Sequence, residues 1–225
     1  IPNPSIGVFY GNPGTGKSAI IIELCNQILN NTIDTYIVYI DADMHSNKLK
    51  QIGIGELIKK YKERFIYAGK QVANIVEKTQ EFLKEIIELQ NKCSTRKYIL
   101  VEDSLTLLSS KKNGFIDTDL LYKYEKQLRE AGGTAILIHH LNKTGVFADS
   151  QQIENFADYT FLVERNDFNN CILIKLQKAS RFDIQPKAYK TEDRKIIDEI
   201  DFSMANISLS ESNFVKIIVD LLAYG

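Results

Sequence analysis

"FYGNPGTGKSAIIIEL", Phe9–Leu24, is a loop of small residues between two apolar runs. The run before the loop, "SIGVFY" at residues 5–10, predicts a buried strand, and the run after it predicts a helix over about 16–29. The loop itself, Gly11–Ser18, matches the pattern G-x-x-x-x-G-K-[ST]. This phosphate-binding motif requires a strand before it and a helix after it, and the sequence supplies both.

The composition of this loop suits the binding of nucleotide phosphates. Glycines let backbone N–H groups approach phosphate oxygens, and the start of a helix adds unpaired donors and a partial positive charge. The Lys17 ammonium is expected to be exposed unless phosphate is present, and it can then reach the β and γ phosphates, while the Ser18 hydroxyl can bind Mg²⁺. The alternative is a plain strand-to-helix turn. We predict that ATP and Mg²⁺ bind through Gly11, Asn12, Pro13, Gly14, Thr15, Gly16, Lys17, Ser18 and Ala19.

Strand and helix patterns alternate after the loop. Further apolar strand patterns occupy residues 36–41, 64–69, 97–103 and 134–140. Amphipathic helix patterns occupy residues 72–91 and 119–131. This alternation predicts an α/β fold with a mostly parallel sheet and helices on both faces.

The rhythm changes after about residue 158. "YTFLVER" and "CILIKLQKA" flank the polar turn "NDFNN", which predicts an antiparallel C-terminal hairpin extension. "PKAYKT" and "RKIIDEID" are candidate edge strands, and residues 211–223 have the pattern of a final helix.

Composition limits the class of protein. The chain has 225 residues with a net charge of −1, which suits one large domain over 1–225 and provides no overall basic field for nucleic acid or membranes. Its three cysteines form no C-x-x-C pair, so we expect reduced thiols and a cytoplasmic protein. No apolar run is long enough to span a membrane, and no signal peptide is visible. Flanking domains are compatible with a first residue of Ile1.

Acidic residues at two strand ends are candidates for the metal and for water activation. Glu102 and Asp103 end one strand, and strand alternation sends them to opposite faces, so only one can face the loop. We predict that Asp103 is the Mg²⁺ ligand together with Ser18, the alternative being a solvated strand-end acid. Asp41 and Asp43 end another strand, and Asp43 is either a group that lines the cleft or a helix cap.

Four segments, in this order, resemble the RecA-like P-loop ATPases: "GNPGTGKS", "YIDAD", "VEDSLTLL" and "TAILIHHLNKTG". "ILIHHLNK" and the following "GVFADSQQIENFADYTFLVER" are similar to the branch that contains the hexameric plasmid and phage replicative helicases. The resemblance covers roughly residues 5–182 and implies a RecA-like core. In many motor ATPases a Glu follows the metal-binding Asp, whereas Ser104 follows Asp103 here, so the base must come from elsewhere.

The resemblance also implies roles for particular residues. Asp43 stands where such enzymes carry a glutamate general base, and His140 would contact the γ-phosphate. "KLQKASRF" resembles a hairpin that sends a Lys and an Arg into the neighbouring subunit's site, which makes Lys178 and Arg181 candidates, with Lys175 as a rival. An exposed basic strand is the alternative for these residues.

Three functions compete at this stage. The first is a ring-forming ATPase motor that acts as a DNA helicase or translocase, and the resemblance implies a hexamer as its form. It would contact single-stranded DNA through polar loops near 109–118 and 142–154, which carry Lys111, Lys112 and Lys143. The second is a RecA-like regulatory or signalling ATPase that acts on a protein partner without nucleic acid. The third is a small-molecule kinase, which the absence of an arginine-rich lid disfavours.

Overall fold

A computed structural model of the chain describes residues 4–43, 51–69, 75–108, 118–141, 155–179 and 184–207. The strands are β1 (Ser5–Gly11), β2 (Thr35–Asp41), β3 (Phe65–Ala68), β4 (Lys97–Asp103), β5 (Thr134–His140), β6 (Tyr159–Asn166), β7 (Cys171–Ala179), β8 (Lys187–Glu192) and β9 (Lys195–Ile200). The helices are α1 (Lys17–Asn31), α2 (Ile54–Tyr61), α3 (Ile75–Lys92), α4 (Leu105–Leu108), α5 (Thr118–Glu130) and α6 (Phe202–Ala205), with a 3₁₀ turn at Lys62–Arg64.

The strands form one sheet in the order β3-β2-β4-β5-β1-β6-β7-β8-β9. Neighbours from β3 through β6 are parallel, and those from β6 through β9 are antiparallel. The predicted α/β class, with its mostly parallel sheet and antiparallel C-terminal extension, is therefore confirmed. The final helix predicted at residues 211–223 lies outside the described residues.

Apolar side chains cover both faces of the sheet. On one face α1 and α2 pack through residues such as Ile21, Leu29 and Leu57. On the other face α3 and α5 pack through residues such as Leu83 and Leu128. Each of these five side chains is at most 4% exposed, and truncating one of them to alanine would cost about 2–5 kcal/mol. Helices therefore lie on both faces, which explains the near-continuous apolar strands in the sequence.

A buried aspartate joins the central strands to α5. Asp158, just before β6, accepts a hydrogen bond from the backbone N of Ile6 on β1 at 2.9 Å. The Arg129 guanidinium on α5 contacts both oxygens of the same carboxylate at 3.1 Å. The amino ends of β1 and β6 are thereby tied to one helix, which supports the strand that leads into the glycine-rich loop.

None of the helices in the described part of the chain has the length and hydropathy of a membrane-spanning segment.

Candidate nucleotide-binding site

The glycine-rich loop connects the end of β1 to the start of α1. The Lys17 ammonium turns back into the loop and donates to the carbonyls of Gly11 at 2.9 Å and Asn12 at 2.8 Å. The Thr15 hydroxyl donates to the Asn12 carbonyl at 3.0 Å and braces the turn. Lys17 is only 4% exposed, so the expectation of an exposed lysine is wrong. The physical reason is that the loop's own carbonyls solvate the ammonium.

Two glycines in the loop are required by close packing against the hairpin. Gly16 has φ +95°, and a Cβ there would lie 2.3 Å from Cδ1 of Ile172 on β7. A Cβ on Gly11 would lie 2.2 Å from the backbone oxygen of Val163 on β6. Substitution at either position would displace the loop, because Gly16 needs a left-handed backbone and Gly11 approaches a rigid strand.

The sheet order brings the candidate residues to one edge. β5 lies between β1 and β4, so that Gly11 is in register with His140 and Ile138 with Asp103. On the other side of β4, Asp103 is in register with Asp41 of β2. The carboxyl ends of four adjacent parallel strands therefore meet beside the start of α1, where ligands bind in open α/β sheets.

Asp103 is buried at this edge with one oxygen held and one free. The Tyr39 hydroxyl donates to its Oδ2 at 2.7 Å, while Oδ1 has no hydrogen-bond partner among the described residues. Burial raises the pKa of Asp103 to about 6, although the Ser18 and Tyr39 hydroxyls favour its charged form. An unpartnered buried carboxylate oxygen next to a serine hydroxyl is a donor set that suits Mg²⁺, so the residues fit the predicted metal.

Glu102 faces the opposite side of the sheet from the loop. Its side chain is fully buried against Glu125 of α5, and neither carboxyl has a hydrogen-bond partner outside this pair among the described residues. Burial raises the pKa of Glu102 to about 7. Burial and the Glu102 charge together raise the pKa of Glu125 well above its ordinary value. Of the two adjacent acids, the structure therefore brings Asp103, and not Glu102, to the loop.

Asp43 and His140 meet at the rim of the same edge. The His140 Nε2 lies 3.3 Å from the Asp43 Oδ2, and the side chains are 26% and 41% exposed. Burial lowers the pKa of Lys17 to about 8, while the charges of Asp103 and Asp43 act in the opposite direction. Both carboxylates are thus close enough to act on the loop lysine. Residues 44–50 lie outside the described residues, so the helix-cap alternative for Asp43 is neither supported nor opposed.

The predicted basic residues of the hairpin lie elsewhere. Lys178 is paired with Thr160 near the amino end of β6, the end away from the loop, and its ammonium donates to the Ala157 carbonyl at 2.9 Å. Lys175 forms an ion pair with Glu164 at 2.7 Å. Arg181 lies outside the described residues. The structure therefore does not bring Lys178 to the loop of its own chain.

A cleft of about 500 Å³ opens over the loop and the strand ends. Besides predicted residues, its wall includes Arg165, Thr191 and Arg194, which the sequence analysis did not select. These come from the antiparallel extension, and Arg165 could have been suspected because its strand follows the resemblance segment. Tyr39 and Tyr67 were also missed, since a tyrosine inside an apolar strand looks like an ordinary core residue.

Comparisons with known proteins support the fold assignment. Neither a protein-family model nor a curated protein sequence matches the chain significantly. Among solved structures, a helicase ATPase domain matches with a TM-score of 0.60 and 14% identity, covering 86% of this chain and 84% of that domain. The flagellar accessory protein FlaH from Methanocaldococcus jannaschii matches with a TM-score of 0.63 and 17% identity, covering 89% and 92%. A DnaB-like replicative helicase, whose structure was described with its primase interactions, matches with a TM-score of 0.63 and 14% identity, covering 86% and 57%.

These likenesses define the class of fold. The chain has the fold of RecA-like P-loop ATPase domains, and it resembles the helicase branch among them. Identities of 14–17% are too low to transfer an activity.

Proposed function

We propose that residues 1–225 form one ATP-hydrolysing RecA-like motor domain, and that the protein is a ring-forming replicative DNA helicase or translocase. The observation that carries the proposal is the meeting of Lys17, Ser18 and Asp103 at one sheet edge, with Asp43 and His140 at its rim. A lysine in a phosphate-binding loop, a hydroxyl and a buried carboxylate are the groups that Mg·ATP requires.

Each group has a distinct task in this proposal. The loop N–H groups and Lys17 bind the phosphates, so Lys17 exchanges its two carbonyl partners for phosphate oxygens. Ser18 and Asp103 Oδ1 would hold Mg²⁺, which neutralises part of the phosphate charge when bound. Asp43 accepts the proton of the attacking water, and His140, at 3.3 Å from Asp43, contacts the γ-phosphate.

The proposal places the last catalytic group on a neighbouring subunit. Lys178 or Arg181 would approach the γ-phosphate of the next subunit and stabilise charge there. The position of Lys178 away from its own loop is compatible with action across an interface. A closed ring, with a hexamer as the expected form, would point residues 109–118 and 142–154 at single-stranded DNA, so that a few basic residues per subunit add up.

A second candidate is a RecA-like regulatory or signalling ATPase that acts on a protein partner without nucleic acid. The likeness to FlaH favours it, because that match covers 89% of this chain and 92% of FlaH. The net charge of −1 also favours a protein partner over a static DNA binder.

The rate of ATP hydrolysis with and without single-stranded DNA, read together with the mass of the assembly, separates the two candidates. The motor predicts a ring and a several-fold rise in turnover on addition of DNA. Lys17→Ala is the matched control, because any DNA-stimulated activity that survives in it comes from a contaminant. A folded, ATP-hydrolysing protein that stays monomeric and ignores DNA would contradict the motor and favour the second candidate.

A further inference from the structure

Two tyrosines lie side by side beneath the acidic edge of the site. Tyr39 on β2 and Tyr67 on β3 are in register, with ring centroids 6.1 Å apart. Each hydroxyl donates to a different carboxylate: Tyr39 to Asp103 Oδ2 at 2.7 Å, and Tyr67 to Asp41 Oδ2 at 2.7 Å. Bonds of this length to a carboxylate are among the stronger hydrogen bonds in proteins, so each tyrosine restricts the carboxylate that it contacts.

The Tyr67 contact continues to Asp43. The other oxygen of Asp41, Oδ1, accepts the backbone N–H of Asp43 at 2.9 Å. Tyr67 therefore braces Asp41, and Asp41 in turn holds the backbone from which the Asp43 side chain projects. The backbone at Ala42 is anchored separately, by donation to the Asp103 carbonyl at 2.7 Å.

We propose that Tyr39 and Tyr67 are positioning residues with separate tasks. Tyr39 holds Oδ2 of Asp103 so that Oδ1 is left for Mg²⁺, and Tyr67 acts through Asp41 to place Asp43 for proton transfer. The inference rests on the proposed nucleotide site. It predicts that removing one hydroxyl changes the requirement for metal, whereas removing the other changes the rate of the chemical step.

A third tyrosine shows that a hydroxyl is not needed for packing in this core. Tyr159 on β6 is fully buried and packs against Phe161, with ring centroids 6.4 Å apart. Its hydroxyl has no hydrogen-bond partner among the described residues. Tyr159→Phe is therefore a matched control: it removes a buried hydroxyl from the same sheet without touching an acidic residue.

The experiment compares Tyr39→Phe, Tyr67→Phe and Tyr159→Phe with the unmutated chain. Binding of a fluorescent ATP analogue is titrated with Mg²⁺, and turnover is then measured at saturating Mg²⁺. For Tyr39→Phe we expect the half-saturating Mg²⁺ concentration to rise about 10-fold or more, with turnover recovering at high Mg²⁺. For Tyr67→Phe we expect an unchanged Mg²⁺ requirement and a kcat lowered about 10-fold at every Mg²⁺ concentration. Tyr159→Phe should match the unmutated chain.

A double substitution makes the Tyr39 assignment stricter. If Tyr39 acts through Asp103, Tyr39→Phe should add no further Mg²⁺ effect in an Asp103→Asn background. An unshifted Mg²⁺ titration for Tyr39→Phe, or equal shifts for all three tyrosine variants, would overturn the assignment. Failure of the unmutated chain to bind the analogue would instead overturn the proposed nucleotide site, and the inference with it.

Discussion

The buried pair Glu102–Glu125 makes a quantitative prediction about stability. Both carboxyls are fully buried on the face of the sheet opposite the nucleotide site, with no hydrogen-bond partner outside the pair among the described residues. Glu125→Gln keeps the size of the side chain and removes one ionisable group. We expect this variant to lose much of the pH dependence of folding.

The sign follows from the raised pKa values. Burial raises the pKa of Glu102 from 4.5 to about 7, and burial with the Glu102 charge raises the pKa of Glu125 well above 4.5. The folded state therefore keeps protons that the unfolded chain releases. Such a group stabilises the fold fully below the unfolded pKa, and that stability is lost as the pH rises through the folded pKa. Each group lowers the free energy of unfolding by about 1.4 kcal/mol per pH unit in that window.

The assay is urea unfolding at pH 5, 6 and 7 at constant ionic strength. Between pH 5 and 7 the unmutated chain should lose about 3 kcal/mol more of its free energy of unfolding than Glu125→Gln does. Glu130→Gln, an exposed substitution on the same helix, is the control and should leave the pH dependence unchanged. Equal pH slopes for the unmutated chain and Glu125→Gln would refute the reasoning.

Three further substitutions test the site itself. Asp103→Asn should abolish Mg²⁺-dependent hydrolysis and retain some nucleotide affinity, whereas Glu102→Gln should be much milder, and a dead Glu102→Gln in a rate assay would reverse the assignment. Gly16→Ala should weaken nucleotide binding measured by calorimetry, because its Cβ would lie 2.3 Å from Ile172; normal affinity would count against the loop geometry. Arg181→Ala should bind ATP yet hydrolyse it about a thousandfold more slowly, and added Lys17→Ala subunits should restore turnover. A mixture as inactive as its parts would exclude a group donated in trans.

Much of the fold was predictable from local patterns. The strands predicted at residues 97–103 and 134–140 have those bounds in the structure, because a continuous apolar run ending in a polar pair marks a buried parallel strand. The helix after the glycine-rich loop was predictable because the loop motif demands one. Alternation also predicted that Glu102 and Asp103 face opposite sides, since this depends only on strand geometry.

The partners of the site residues were not predictable in this way. Tyr39 and Asp103 are 64 positions apart, and their contact depends on β2 lying beside β4 in the sheet order. The burial of Lys17 depends on loop carbonyls that turn inward, which a motif does not encode. Arg194 joins the cleft wall only because β8 and β9 extend the sheet beyond β7. Contacts of this kind follow from tertiary packing rather than from spacing along the chain.

The most direct test of the central claim is equilibrium binding of ATP to the unmutated chain and to Lys17→Ala, with and without Mg²⁺. The account predicts saturable, Mg²⁺-dependent binding to the unmutated chain and a loss of at least about tenfold in affinity in a folded Lys17→Ala. Lys17 gives up two carbonyl contacts at 2.8–2.9 Å to bind phosphate, so some loss of stability in this variant is expected and is measured alongside. Equal ATP affinity for the two folded proteins would contradict the assignment of this loop as a nucleotide site.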